Sequence, residues 1–146
     1  MKKIDDTKIY LIAAAATLVV GIVLGAIAFY SILSVEPKVE KLLAAKDNID
    51  SNFKQAYLIL RNPQVFAGYS NYDADGVSVK NSLIFFDKRI YNGEELDSSR
   101  KAYLELLLDR RKKGSILTRN TMIFFIVLSL VFWAVFIQER RVVKGH

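Results

Sequence analysis

Two long apolar stretches of the chain are separated by a longer polar one. Residues 9–35 carry no charged side chain, and residues 120–138 carry none either. An α-helix rises about 1.5 Å per residue and a bilayer hydrocarbon core is about 30 Å thick, so about 20 apolar residues suffice to cross it. The pattern therefore predicts two transmembrane helices.

The predicted fold class is an all-α membrane protein. Two transmembrane helices are joined by a mainly helical extramembrane loop of about 80 residues. Within this loop, helices are predicted over residues 37–61 and 98–113. The predicted segments, in chain order, are an N-terminal tail 1–8, transmembrane helix 9–35, an extramembrane module 36–114, transmembrane helix 115–138 and a basic tail 139–146.

The first apolar stretch also has features of a cleaved signal peptide. Lys2 and Lys3 near the N-terminus resemble the positively charged start of a signal peptide, and residues 26–28 (Ala-Ile-Ala) resemble a cleavage site. The apolar region of a signal peptide is usually about 7–15 residues long, whereas this stretch remains apolar as far as Val35. The length favours an uncleaved transmembrane helix.

Small residues recur every four positions along the first apolar stretch, at Ala13, Thr17, Gly21 and Gly25. Small side chains let two helix backbones approach closely, which is how many helices pack in lipid. These four residues are the predicted helix-packing face. The alternative is that the spacing reflects only a helix of low bulk.

Aromatic residues are expected near the membrane–water interfaces. Tyr10 and Tyr30 are separated by about 30 Å along a helix, the distance between the two interfacial belts. In the second apolar stretch, which is bulky and aromatic, Trp133 is the third predicted interfacial aromatic. A bulky helix is a plausible partner for a helix with a small-residue face.

The polar stretch begins with a helical pattern that starts near Pro37 and ends before Pro63. A proline favours the first turn of a new helix and interrupts a continuing one, so a kink or a fresh helix start is expected at Pro37. The apolar positions form a heptad-like seam that suits packing within the loop or an intermolecular coiled coil. The seam consists of Val39, Leu42, Ile49, Phe53, Ala56 and Leu60.

A turn-rich segment follows, and it begins like a calcium-binding loop. Asn71, Asp73 and Asp75 alternate before Gly76, but Ser82 occupies the twelfth position, where a bidentate Glu is expected. A solvated turn is therefore the prediction for this segment.

Further along, residues 77–79 are compatible with a short strand, and the apolar run 83–86 with either helix or strand. Asp97 or Ser98 is expected to cap the helix over 98–113, and Gly114 is expected to end it.

A cluster of cations precedes the second apolar stretch: Arg110, Arg111, Lys112, Lys113 and Arg119. Near an anionic leaflet such residues contribute about 1 kcal/mol each to membrane attraction. They are the predicted lipid-headgroup contacts. The alternative is a solvated helix end.

Composition excludes several kinds of chemistry. The chain has no cysteine and one histidine, His146, which excludes a thiol site and a bis-His haem built within it and nearly excludes a Ser-His-Asp triad, since this histidine is the last residue. No catalytic, metal or cofactor site is predicted, and the chain is not expected to be an enzyme. The net charge of +6 suits anionic headgroups, and nucleic acid is not an expected partner.

The expected function is that of a small structural or accessory subunit of a larger integral membrane complex. Its expected partners are membrane lipids and other integral membrane subunits in a hetero-oligomer. The alternatives are an envelope sensor or signalling adaptor with an extracytoplasmic helical module, and a homo-oligomeric pore former. The expected location is a bacterial or archaeal cell membrane. The charge evidence for orientation conflicts: the cations near both termini favour cytoplasmic termini, whereas the cluster at 110–113 favours a cytoplasmic loop. Cytoplasmic termini with the loop outside are expected, because long loops translocate largely regardless of charge.

Overall fold

The computed structural model describes residues 6–61 and 79–145, and this part of the chain is helical with no strand. The prediction of an all-α fold is confirmed for it. In chain order the elements are α1 (Asp6–Tyr30), a π-helical turn (Ser31–Val35), α2 (Glu36–Ala44), α3 (Ile49–Arg61), α4 (Val79–Tyr91), a 3-10 turn (Ser98–Arg100) and α5 (Lys101–Lys144).

The structure settles some of the open choices in the polar stretch. The apolar run 83–86 lies inside α4, so it is helical. The calcium-like pattern from Asn71 and the first two positions of the strand considered at 77–79 lie outside the described residues, and Val79 begins α4. Asp97 caps the turn before α5 by accepting a hydrogen bond from the Ser99 amide at 3.1 Å.

The chain divides into two compact units. Met1–Ala26 and Thr118–His146 form one, here called the two-helix unit, and Ile27–Leu117 form the other, here called the helical module. The helical stretches Asp6–Ala44 and Ser98–Lys144 are both long and apolar enough to cross a membrane.

The helical module has a hydrophobic core to which α2, α3, α4 and the first turns of α5 contribute. Fully buried Phe53 and Phe86 are its largest apolar side chains besides Tyr57. Burying side chains of this size stabilises a fold by about 1.5–3 kcal/mol each. The core consists of Val39, Leu43, Phe53, Ala56, Tyr57, Leu60, Phe86, Leu96, Leu104, Leu107 and Leu108.

The residues of the predicted seam point into this core. Four of the six belong to it, and Leu42 and Ile49 pack against it. The prediction of one continuous helix over 37–61 was wrong, because residues 45–48 separate α2 from α3. The turn depends on Asn48, which has a φ of 53° and is one of the few residue types that adopt this conformation readily. Seam spacing alone did not reveal the break, since the apolar positions on both sides face one core.

The expected end of a helix at Gly114 was also wrong. Gly114 is buried within α5, which continues to Lys144. A glycine ends a helix by adopting a left-handed conformation after the last turn, and among the described glycines only Gly93 has a positive φ. Apolar residues with helical spacing continue on both sides of Gly114. Their packing outweighs the low helix propensity of glycine.

One polar contact is held inside the module by α3 and α4. The Tyr57 hydroxyl donates to Asp87 Oδ1 at 2.5 Å and lies 3.1 Å from the carbonyl oxygen of Leu83. Arg61 pairs with the other oxygen of Asp87 at 3.3 Å. Burial and the neighbouring carboxylate of Asp87 raise the pKa of Tyr57 well above its ordinary value. The contact therefore favours the neutral phenol.

Replacing Tyr57 by Phe tests this contact in the full chain in detergent. At neutral pH we expect a loss of about 1 kcal/mol in unfolding free energy, since the Asp87 and Leu83 acceptors lose their donor. Because the pKa of Tyr57 is raised on folding, the tyrosine's contribution is complete below the pKa of the unfolded phenol, about 10, and is lost as pH rises above it. Thermal unfolding followed by circular dichroism should show the difference between the two proteins shrinking above pH 10. A difference that stays constant would contradict this account.

Candidate functional site

A buried polar cluster forms where the first apolar helix changes into α2. The change occurs through the π-helical turn, in which the Glu36 amide donates to the Ser31 carbonyl oxygen, five residues earlier. Pro37 lies at the start of α2. A proline lacks an amide donor and its ring clashes with the carbonyl four residues earlier, so the wider π turn accommodates it without ending the helical course. The helical course is therefore not interrupted at Pro37: it continues from α1 through the π turn into α2, with Pro37 in the first turn of α2.

Ser31 is the centre of the cluster. Its Oγ accepts a hydrogen bond from Arg111 Nε at 2.9 Å and lies 2.8 Å from the Ser115 hydroxyl. The Ser31 hydroxyl donates a longer hydrogen bond of 3.4 Å to Glu36 Oε1. A hydroxyl offers one donor and two acceptor positions, so Ser31 can use all three in this arrangement. We call Ser31, Glu36, Arg111 and Ser115 the polar network.

The charges of the network are removed from water. Arg111 is 3% exposed and Glu36 is 7% exposed. Burial lowers the pKa of Arg111, and the negative charge of Glu36 acts in the opposite direction. A guanidinium stays charged at neutral pH, so the energetic cost of burying it is offset by the hydrogen bond to Ser31 and the attraction of Glu36.

The network corrects the prediction that Arg111 contacts lipid headgroups. Successive residues of a helix project about 100° apart, so four consecutive cations on α5 cannot all face outward. Arg111 is the one that faces inward. Lys112 and Lys113 pair with Glu40 and Asp109 respectively.

The two remaining cations of the cluster are half-buried arginines. The Nε atoms of Arg110 and Arg119 are buried and have no hydrogen-bond partner within the described ranges. Burial lowers the pKa of Arg110. Whether either residue contacts a headgroup remains a prediction.

In the two-helix unit, α1 contacts α5 at two of the predicted packing residues. Gly21 and Gly25 are buried. A Cβ built on Gly25 would lie 2.6 Å from Met122 Sδ, and one built on Gly21 would lie 3.1 Å from Ile126 Cγ1. The absence of a side chain at these two positions lets α5 come this close.

At the N-terminal end of the packing face, the residue that is buried differs from the predicted ones. A step of four residues turns a helix by about 400°, so a row with this spacing drifts by about 40° per step. Ala13 and Thr17 are consequently only half-buried, and the Thr17 hydroxyl bonds to the Ala13 carbonyl of its own helix at 2.8 Å. Ala14 is buried instead, and its carbonyl accepts a hydrogen bond from the Ser129 hydroxyl at 2.8 Å.

The predicted interfacial aromatics lie mostly on the outside. Tyr30 and Trp133 are exposed, and Tyr10 is half-buried. Trp133 borders an apolar groove of about 410 Å³ in the two-helix unit. The groove is lined by Leu11, Ala14, Ala15, Leu18, Ile126, Ser129, Leu130 and Trp133.

The polar network was the part of the site that sequence reasoning missed. Ser31 and Ser115 are small polar residues in largely apolar stretches of sequence. Isolated serines of this kind carry no motif, so the sequence did not mark them as a site. The available signal was the spacing of Arg111 and Ser115, four residues apart on one helix face. Within residues 6–61 and 79–145, no group of three acidic or histidine side chains is arranged to hold a metal ion.

Comparison of this chain with protein-family models, curated proteins and solved structures finds no match.

The glycine contact predicts a specific sensitivity in the two-helix unit. Replacing Gly21 or Gly25 by Leu should lower the unfolding free energy by about 1–3 kcal/mol, because the new side chain overlaps Ile126 or Met122. Equilibrium unfolding in mixed detergent micelles measures the change. Ala16→Leu is the matched control, since Ala16 is exposed on α1 and should tolerate the larger side chain. Equal stability of the glycine variants and the control would rule out the close contact.

The polar network predicts non-additive effects. Arg111→Met should cost about 2–3 kcal/mol, because it removes the positive charge that acts on buried Glu36 and the donor that bonds to Ser31. The double variant Arg111→Met with Glu36→Gln should be more stable than the single Arg111 variant. Lys113→Met serves as a surface control and should cost less than about 1 kcal/mol. Additive costs at Arg111 and Glu36 in the same unfolding assay would show that the two charges are not coupled.

Proposed function

We propose that this chain is a two-pass integral membrane protein that acts as a structural accessory subunit of a larger membrane complex. The observation that carries the proposal is the outward apolar surface of both candidate spans. In the most apolar stretch of each, only 22% and 11% of the residues are buried. Apolar surface of this extent on a protein in water marks a site of contact with lipid or with another protein.

The two-helix unit supports a role in helix packing. Its helices already associate through Gly21, Gly25 and the Ser129 hydrogen bond, the small and hydroxyl residues that join helices in lipid. The apolar groove offers a second place for such an association. Ala14 and Ala15 lie between larger leucines there, so the apolar transmembrane helix of a partner is the occupant we propose.

The proposed orientation has cytoplasmic termini and the helical module on the opposite side. Arg140, Arg141 and Lys144 at the end of α5 are exposed and follow the second apolar stretch directly. Cations beside a span favour the cytoplasmic side, whereas a connection of this length is translocated largely regardless of its charge.

A purification in mild detergent tests the accessory role. We expect the chain to migrate at the native mass of a stoichiometric heteromeric complex. Ala15→Trp should fill the groove and release the partner while the chain stays in the membrane, and Val23→Trp on exposed α1 surface should leave the complex intact. A monomer without a partner would overturn the proposal. A homo-oligomer that conducts ions would favour the pore former instead.

A signalling adaptor is the second candidate, and the continuity of α5 favours it. This helix runs for 44 residues from Lys101 to Lys144, and it contributes residues to both units. A secondary-structure element shared by two parts of a protein is one route by which a change in one part can reach the other. Since the chain has no native cysteine, introduced cysteine pairs in the two-helix unit can report such a change by their cross-linking rate. A rate that changes when a ligand binds the module would support this candidate over the accessory subunit.

A further inference from the structure

Arg119 differs from most of the cations that surround it. Arg111 is bonded to Ser31, Lys112 is paired with Glu40, and Lys113 is paired with Asp109. No carboxylate partner of Arg119 occurs in the described part of the chain. Arg119 is also the last charged residue before the uncharged stretch 120–138.

The Arg119 side chain has donor capacity that the described residues do not use. Its Nε is buried and lacks a hydrogen-bond partner among them, and its Nη2 donates to Asn120 Oδ1 at a long 3.3 Å. Because the Nε is enclosed, an acceptor from outside the chain has to bond at the Nη end of the guanidinium, where the contact with Asn120 is exposed. The Nη groups carry more N–H donors than this one long contact uses.

The chemistry of the missing acceptor follows from the guanidinium and its place. The planar fork of an arginine binds phosphate and carboxylate oxygens through parallel hydrogen bonds. At the edge of a hydrocarbon core, the anion available to such a fork is the phosphate of a lipid headgroup. Arg110, by contrast, lies nine residues earlier in sequence and does not border the uncharged stretch.

We propose that Arg119 binds the phosphate group of an anionic phospholipid at the edge of the second span. The inference rests on the proposed membrane insertion of this helix. An anionic lipid is favoured over a zwitterionic one because it brings a net negative charge to the cation, whereas a choline headgroup carries its own positive charge.

Native mass spectrometry of the full chain in a non-ionic detergent tests the site. Phosphatidylglycerol and phosphatidylcholine are titrated separately, and the dissociation constant of the first bound lipid is measured. For phosphatidylglycerol, Arg119→Gln should raise this constant about fivefold, the effect of one cation near an anionic surface. Arg119→Lys should raise it less, because the charge remains and only the fork is lost.

Lys101→Gln is the matched control, because it removes one positive charge from the same helix, 18 residues before Arg119 in sequence. It should leave the phosphatidylglycerol constant unchanged, and none of the variants should alter phosphatidylcholine binding. Equal affinity of wild type and Arg119→Gln for phosphatidylglycerol would overturn the site. An equal loss in Lys101→Gln would also overturn it, since the effect would then come from net charge.

Two further measurements distinguish a wrong lipid site from a wrong membrane assignment. Inorganic phosphate at matched ionic strength should not displace the lipid, and displacement would assign the site to free phosphate instead. Resistance of the membrane-bound chain to carbonate extraction reports insertion independently of lipid affinity. Extraction of the wild type would overturn both the membrane role and the lipid site, whereas an inserted chain with unchanged lipid affinity would overturn the lipid site alone.

Discussion

The burial of the Arg111 guanidinium is the constraint on which much of the helical module depends. A charge of this kind is tolerated away from water only when hydrogen bonds and an opposite charge surround it. Ser31 Oγ accepts the hydrogen bond from Arg111 Nε at 2.9 Å, and the charge of Glu36 acts on the guanidinium. These contacts favour a rotation of α5 within the module that directs Arg111 inward and leaves Lys113 exposed.

Two different kinds of contact hold helices together in this protein. In the two-helix unit, Gly21 and Gly25 have no side chain, so α5 can come close to α1. The stabilisation then comes from many weak contacts with Met122 and Ile126. In the helical module, the polar network acts through a few directional bonds. Close apolar contact tolerates some sliding, whereas directional bonds specify one register. The two kinds of contact are thus complementary in what they determine.

Much of the fold was predictable, because it follows from the period and length of apolar stretches. The two long apolar helices and the core-facing seam of α2 and α3 are examples. Helix ends were less predictable. Asn48 turns the chain and Gly114 does not, although glycine is the more frequent helix terminator. The difference arises from what packs around each residue, which is tertiary information.

The candidate site was predicted only in part for the same reason. Gly21 and Gly25 were identified because small residues at a regular spacing in an apolar helix can be recognised from the sequence alone. The role of Ser31 depends on Arg111, 80 residues later, and no local pattern connects the two. Arg111 itself was assigned to the wrong surroundings, since its neighbours in sequence suggested a uniformly outward basic surface.

The partnered cations of α5 have a consequence for how the protein is made. Under the proposed membrane role, insertion machinery would meet the nascent chain before tertiary contacts exist, so all four cations at 110–113 would then be available as topological signals. After folding, Arg111 is enclosed and Lys112 and Lys113 have carboxylate partners. The charge pattern that biogenesis encounters is therefore different from the one that the mature surface presents. Under the same proposal, substitutions that leave the folded protein intact could still change the direction in which the chain is inserted.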